Sequence, residues 1–182
     1  LDINASDKAA RFLRFCDAFD IPIVSLVDVP GFLPGVAQEH GGIIRHGAKM
    51  LYAIAEATVP KVALVLRKAY GGAYISMASK GLGYDRVLAL PGARIAVMGP
   101  EGAASVIFRR EIAAADDPDE ARKQRVAEFR ESVTDPHVAA SYGHIDLVVE
   151  PESARRELVR SLEILAGKRA DRRERKHGNF PA

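Results

Sequence analysis

The chain has 182 residues, 48% of them hydrophobic and 27% charged, with a formal net charge of +2. That length suggests one domain with enough apolar residues to bury a core. The near balance of charge excludes a general nucleic-acid binder, whose basic residues dominate and cluster. The single cysteine, Cys16, excludes an internal disulfide and a multi-cysteine metal site and fits a reducing, cytoplasmic compartment. No apolar run approaches the roughly 18 residues of a membrane span. The chain begins at Leu1 and opens almost directly into a helix, which raises the expectation of a fragment of a longer polypeptide.

"NASDKAARFLRFCDAF" starts with capping residues, and its apolar positions Ala9, Phe12, Leu13, Cys16 and Phe19 recur at helical spacing. "IPIVSLVD" (21–28) is a short, β-branched, nearly continuous apolar run. It predicts a strand of a sheet covered on both faces. "VPGFLPG" (29–35) is a loop dense in Pro and Gly. Ile44, Ala48, Leu51 and Ala55 then mark the inner face of a second helix. "VPKVALVL" (59–66) is the next strand, followed by a glycine turn and a helix over 72–80. "DRVLAL", "PGAR" and "IAVMG" read as strand, turn and strand. "PEGAASVIFRREI" is a helix with Pro100 near its start.

Further on, Asp117 is the expected N-cap of another helix, with Pro118 at its first position and Glu120 three residues past the cap. "HIDLVVE" is a late strand. "PESARRELVRSLEILAG" closes the fold as a helix with Leu158, Leu162 and Leu165 inward and Gly167 as its C-cap. Strands and helices alternate, which assigns the α/β class. The basic tail from Lys168 reads as solvated surface.

The stretch "RKAYGGAYISMASK" places Gly71 and Gly72 where a strand ends and a helix begins. A helix start leaves N–H groups without intrahelical partners and carries a partial positive charge. Gly and Ala do not shield those donors, so Gly72 and Ala73 can offer an accessible pair to an oxygen that gains negative charge. The other reading is tight strand–helix packing, where only small residues fit. "IAVMGPEGA" repeats the form with Gly99 and Gly102. Ligands of open α/β sheets gather at the edge where such turns meet.

The long motif "VDVPGFLPGVAQEHGGIIRHGAKMLYAIAEATVPKVALVLRKAYGGAYISM" resembles the carboxyltransferase (β) subunit of biotin-dependent acyl-CoA carboxylases, of the propionyl-CoA carboxylase β-chain type. "DINASDKAARFLRFCDAF", "IAVMGPEGA" and "KHGNFPA" fit the same family, and the resemblance runs from Leu1 to Ala182. It implies a crotonase-like fold of repeated β-β-α units. It also implies that residues 1–182 are the C-terminal of two such domains, with the N-terminal one missing. Family members transfer CO2 from N1 of carboxybiotin to the α-carbon of an acyl-CoA. Biotin arrives on a separate carrier domain, and the freed N1 serves as base.

The implied partners are a biotin carboxyl carrier/biotin carboxylase subunit and the N-terminal domain of a neighbouring subunit, within a homo-hexamer. By the resemblance, Gly72 and Ala73 hold the ureido oxygen of biotin, and Gly71, Tyr74 and Ile75 flank the substrate. Gly31, Phe32, Leu33, Pro34, Gly35 and Gly99 line the biotin pocket, with "RHGAK" nearby. Propionyl-preferring members often carry Asp where this chain has Ile75, so acyl chain length stays open. Two alternatives remain beside the carboxylase: the equivalent subunit of a biotin-dependent acyl-CoA decarboxylase, and a non-catalytic assembly fragment.

Other candidates are weaker. Ser76 lacks a base in any motif context and reads as a packing serine. No convincing His–carboxylate pair is expected. His40 and His46 are six residues apart, which is not a same-face helical spacing, so no metal site is expected. Cys16 reads as inert core.

Overall fold

The computed structural model describes residues 1–132, 134–170 and 176–181, the side chains of 131 and 132 excepted. Part of the basic tail therefore lies outside the described residues. Helix α1 (Ile3–Ala18) starts at Asp2, whose carboxylate accepts the Ala5 N–H at 2.7 Å. It leads to strand β1 (Ile23–Val29), short helix α2 (Val36–Gly41), helix α3 (Ile43–Glu56) and the central strand β2 (Lys61–Tyr70). Helix α4 (Gly71–Ala78) follows directly. After a 3₁₀ turn (Lys80–Leu82) come β3 (Arg86–Ala89), β4 (Arg94–Ala96) and α5 (Pro100–Ile107). Then come α6 (Arg109–Ala114), α7 (Pro118–Ser132), α8 (Pro136–Ser141), the two-residue β5 (Leu147–Val148) and α9 (Pro151–Leu165). The cap expected for α7 forms: one oxygen of Asp117 accepts the N–H groups of Asp119 and Glu120 at 3.1 Å each. No helix among the described residues is long and apolar enough to cross a membrane.

The strand pairings are parallel, in the order β1-β2-β3-β5, with β4 also against β2. β2 is long enough to serve two partners. Residues 62–65 pair with β3, and Lys68, Ala69 and Tyr70 pair with β4. Alternation along β2 separates two cores. Ala63, Val65 and Ala69 join the larger one with residues of α1, α3 and α4. Val62 and Leu64 join the smaller one, where Leu158, Leu162 and Leu165 of α9 pack as expected. Lys61, at the head of β2, is only 2% exposed. Its ammonium donates to the carbonyls of Ile54 and Ala57 at 2.7 and 2.9 Å, closing the C-terminal end of α3.

Four expectations need correction. β1 is not covered on both faces: Val24 is 41% and Leu26 56% exposed, because β1 is an edge strand and α9 packs over β2 and β3 instead. The core face of α3 is Ile43, Gly47, Met50, Ala53 and Ile54, whereas Ile44 is 79% exposed. The helix carries two apolar stripes, and α1 covers only one of them. Similarly, α1 buries Ala10, Leu13 and Cys16 but leaves Phe12 and Phe19 exposed. The C-cap of α9 is Ala166 rather than Gly167.

Candidate active site

Tyr70 is extended, at φ −117° and ψ 141°, and α4 begins at the next residue with no side chain capping it. Gly71 has φ +61°, the left-handed region where an L side chain is disfavoured. A Cβ there would also press on the Val97 carbonyl oxygen at 3.2 Å. Gly72 is exposed, and a Cβ on it would lie 3.3 Å from the ring of Phe32. Ala73 is fully buried in the larger core. The three small residues thus have three separate causes: backbone conformation, close approach of a ring, and packing. The N–H groups of Gly72 and Ala73 lie in the first helical turn and have no intrahelical acceptor. Among the described residues they donate to no backbone carbonyl elsewhere.

The loop between β1 and α2 takes its shape from Gly31 (φ +142°) and Gly35 (φ +132°). It is tied down by the Leu33 N–H donating to the Leu1 carbonyl at 2.7 Å. Its central residue, Phe32, lays its ring between α3 and the start of α4. At Gly47, inside α3, a Cβ would stand only 2.9 Å from two ring carbons. Gly47 was not singled out in the sequence. The available signal was a glycine at an interior, inward-facing helix position, where alanine would favour the helix by about 1 kcal/mol. Phe32, Leu33 and Pro34 line an apolar groove of about 300 Å³ with Ile44, Ala48 and Leu51, the second apolar stripe of α3. "GFLPG", "RHGAK" and "GGAY" therefore meet at one place, next to the uncapped start of α4.

Other candidates lie elsewhere. Gly99 caps α5 and lines a separate cleft beside Tyr70, not the groove of Phe32. Tyr74 packs against the larger core, where burial pushes its hydroxyl pKa up. Ile75 is 45% exposed and outside the groove lining. Ser76 is buried and donates to the Ala73 carbonyl at 2.9 Å, a packing role. Two His–carboxylate pairs do form, contrary to expectation. His46 Nδ1 lies 2.8 Å from both Asp7 oxygens and joins α3 to α1. His137 lies 2.9 Å from Asp135, its neighbour at the α8 cap. Neither pair lines the groove. Among the described residues, no three His, Cys, Asp or Glu gather as metal ligands.

Residues 1–180 match the carboxyl transferase domain family. The chain is 62% identical over 181 residues to the methylmalonyl-CoA carboxyltransferase 12S subunit of Propionibacterium freudenreichii, covering all of this chain and 34% of that protein. It is 55% identical over 181 residues to a putative propionyl-CoA carboxylase beta chain of Bacillus subtilis, covering all of this chain and 36% of that one. It superposes with a TM-score of 0.96 on the solved structure of the transcarboxylase 12S hexamer, which has methylmalonyl-coenzyme A and methylmalonic acid bound. That match is 62% identical and covers all of this chain and 35% of that one. The chain thus spans about a third of the length of these relatives. Its fold is crotonase-like, as in these carboxyltransferases, and the chain belongs to the carboxyl transferase domain family.

Proposed function

We propose that this chain is the C-terminal half of a biotin-dependent acyl-CoA carboxyltransferase subunit. The full subunit transfers CO2 between carboxybiotin and the α-carbon of an acyl-CoA, and this half holds the biotin side. The observation that carries the reading is the uncapped start of α4 beside the groove of Phe32. The apolar groove suits the thioether and hydrocarbon part of biotin, and the Gly72 and Ala73 N–H groups suit its ureido carbonyl oxygen. Carboxybiotin, when bound, supplies an activated carboxyl group. Gly72 and Ala73 stabilise the negative charge that the ureido oxygen gains, and the Phe32 ring beside Gly72 shapes the approach to those donors. The carrier domain, the N-terminal domain of a neighbouring subunit and a hexameric assembly in the cytoplasm belong to the same proposal. The hexameric assembly is supported by identity to the 12S subunit, whose solved structure is a hexamer. With about two thirds of the relatives' length outside this chain, the isolated chain is expected to show no acyl-CoA turnover, because half a site does not supply proximity.

The test is an amide-to-ester replacement at Ala73 in the full-length subunit, which removes the N–H and keeps the methyl. The expected result is a loss of about 10²–10³ in kcat with the biotinylated carrier as donor. The control is the same replacement at Tyr74, whose N–H lies past the uncapped turn. Equal losses at the two positions would reject Ala73 as an oxyanion donor.

A further inference from the structure

The residues of "KHGNFPA" take no part in the groove of Phe32. They lie instead on helices α1 and α3, which run side by side in the same direction. Asp7 of α1 meets His46 and Lys49 of α3, and Asp17 accepts from Thr58 just past the end of α3. Residues 177, 178 and 180 wall a cleft of about 480 Å³ with Arg14 of α1 and Tyr52 of α3. The Phe180 ring meets the Tyr52 ring edge-on at 5.3 Å, and the Arg14 guanidinium sits 4.7 Å from its centre. One half-buried aromatic residue thus touches both helices across their seam.

Two contacts oppose each other there. Gly178 comes so close to Tyr52 that a Cβ on it would overlap the hydroxyl oxygen, with the ring carbon that bears the hydroxyl 3.3 Å away. The φ of Gly178 is outside the left-handed region, so the approach to Tyr52 is what demands glycine. The Tyr52 hydroxyl oxygen beneath it is buried, and among the described residues it has no hydrogen-bond partner. A buried hydroxyl without a partner forgoes the hydrogen bonds that water would give it once the segment lifts. The aromatic and cation–π contacts of Phe180 therefore close the segment onto the seam, and the Tyr52 hydroxyl works against closure.

We infer that residues 177–180 form a latch that fastens α3 to α1, held by Phe180 and kept weak by the Tyr52 hydroxyl, and that it positions the α3 wall of the Phe32 groove. The coupling runs through one helix. Tyr52 faces the latch, whereas Leu51 beside it and Ala48 one turn earlier line the groove. The His46–Asp7 contact ties α3 to α1 near its start, and the latch adds a tie almost two turns later. Tyr52 and Phe180 are positioning residues. Their effect on turnover rests on the biotin-side reading of the groove, whereas the latch itself does not.

The test uses the full-length subunit in its native assembly. Lys176 is exposed, and endoproteinase Lys-C needs the residues after it to lift before it cuts the 176–177 bond. The cleavage rate, followed by mass spectrometry, therefore reports the open population. Gly178→Ala and Phe180→Ala should each raise it about tenfold. Tyr52→Phe, which removes only the hydroxyl, should lower it about threefold. Combining Gly178→Ala with Tyr52→Phe removes the overlap, so the rate should return to within about twofold of wild type. With the biotinylated carrier as donor, kcat should fall about fivefold in Gly178→Ala and recover in the double variant, with KM for acyl-CoA unchanged. The latch falls if Gly178→Ala and Phe180→Ala are cut no faster than wild type, or if Tyr52→Phe is cut faster. Its positioning role falls if cleavage follows the expected order while kcat stays at the wild-type value. A wild-type subunit that shows no turnover from the biotinylated carrier rejects the biotin-side reading and with it the positioning role, and the cleavage rates still decide the latch.

Discussion

Replacing Gly47 by alanine tests whether Phe32 organises the candidate active site. The added methyl would stand 2.9 Å from two ring carbons, where ordinary contact begins at 3.4 Å. The ring must therefore retreat by about half an ångström or tilt. Gly72 lies close to the same ring, so the movement disturbs the mouth of the α4 donors. Two stability terms oppose each other. Overpacking costs about 1–3 kcal/mol, and alanine for glycine within a helix returns roughly 0.5–1 kcal/mol. The expected net loss is about 0.5–2 kcal/mol, read as a lower denaturant midpoint at unchanged slope. The effect on rate should be larger, because a shift of about 1 Å at a site costs up to 10²-fold. We expect kcat of the full-length subunit to fall about 5- to 50-fold with little change in KM for acyl-CoA. The decisive assay is the cycle of Gly47→Ala, Phe32→Leu and the double variant. A smaller side chain at 32 relieves the overlap, so the double variant should be no slower than Phe32→Leu alone. Additive losses in kcat, or a Gly47→Ala protein that is less stable yet fully active, would refute the role of the ring.

Three further predictions concern residues outside the groove of Phe32. Ile75→Asp in the full-length subunit should redistribute kcat/KM among acetyl-, propionyl- and butyryl-CoA, by about 1–3 kcal/mol of discrimination per methylene. A uniform fall for all three substrates would remove Ile75 from specificity. Lys61→Met leaves the Ile54 and Ala57 carbonyls without the buried ammonium that now caps them, so it should cost about 1–3 kcal/mol in urea denaturation. An unchanged midpoint would mean that other groups satisfy those carbonyls. The hydrogen bond from His46 holds the Asp7 carboxyl below its ordinary 3.8. A depressed carboxylate stabilises the fold above its unfolded value, and that contribution is lost as pH falls through the lower folded value. Asp7→Asn should therefore flatten the fall in stability below about pH 4, measured by denaturation across pH, and an unaltered slope would count against the pair.

Much of the fold was legible because its signals are local. Asp117 three residues ahead of Glu120, Pro118 at the first helical position, and the Leu158–Leu162–Leu165 spacing act within one or two turns of chain, and the structure uses each of them. The glycine turn was also legible as a strand end meeting a helix start, and the family motif around it spans contiguous residues. The placement of the two glycines was readable, but the reason for each was not. Gly71 answers to its own φ and to Val97, and Gly72 to Phe32, forty residues earlier in the chain.

What the sequence by itself determined, then, is the type and order of the longer elements and the family motif, since periodicity, caps and turn residues act through neighbours in the chain; the short helices α2 and α8 and the break between α5 and α6 were not read from it. Tertiary structure decided which apolar surfaces are covered and which charges meet. Helix α3 carries two apolar stripes, and only the position of α1 selects Met50, Ala53 and Ile54 for the core while leaving Ile44, Ala48 and Leu51 to line the groove. β1 has the composition of a buried strand, but its place at the sheet edge exposes Val24 and Leu26. Lys68 and Arg94 are 26 positions apart and become neighbours only through the parallel pairing of β2 with β4. Burial and charge balance depend on the summed contacts of distant segments, and no window along a single chain contains both partners.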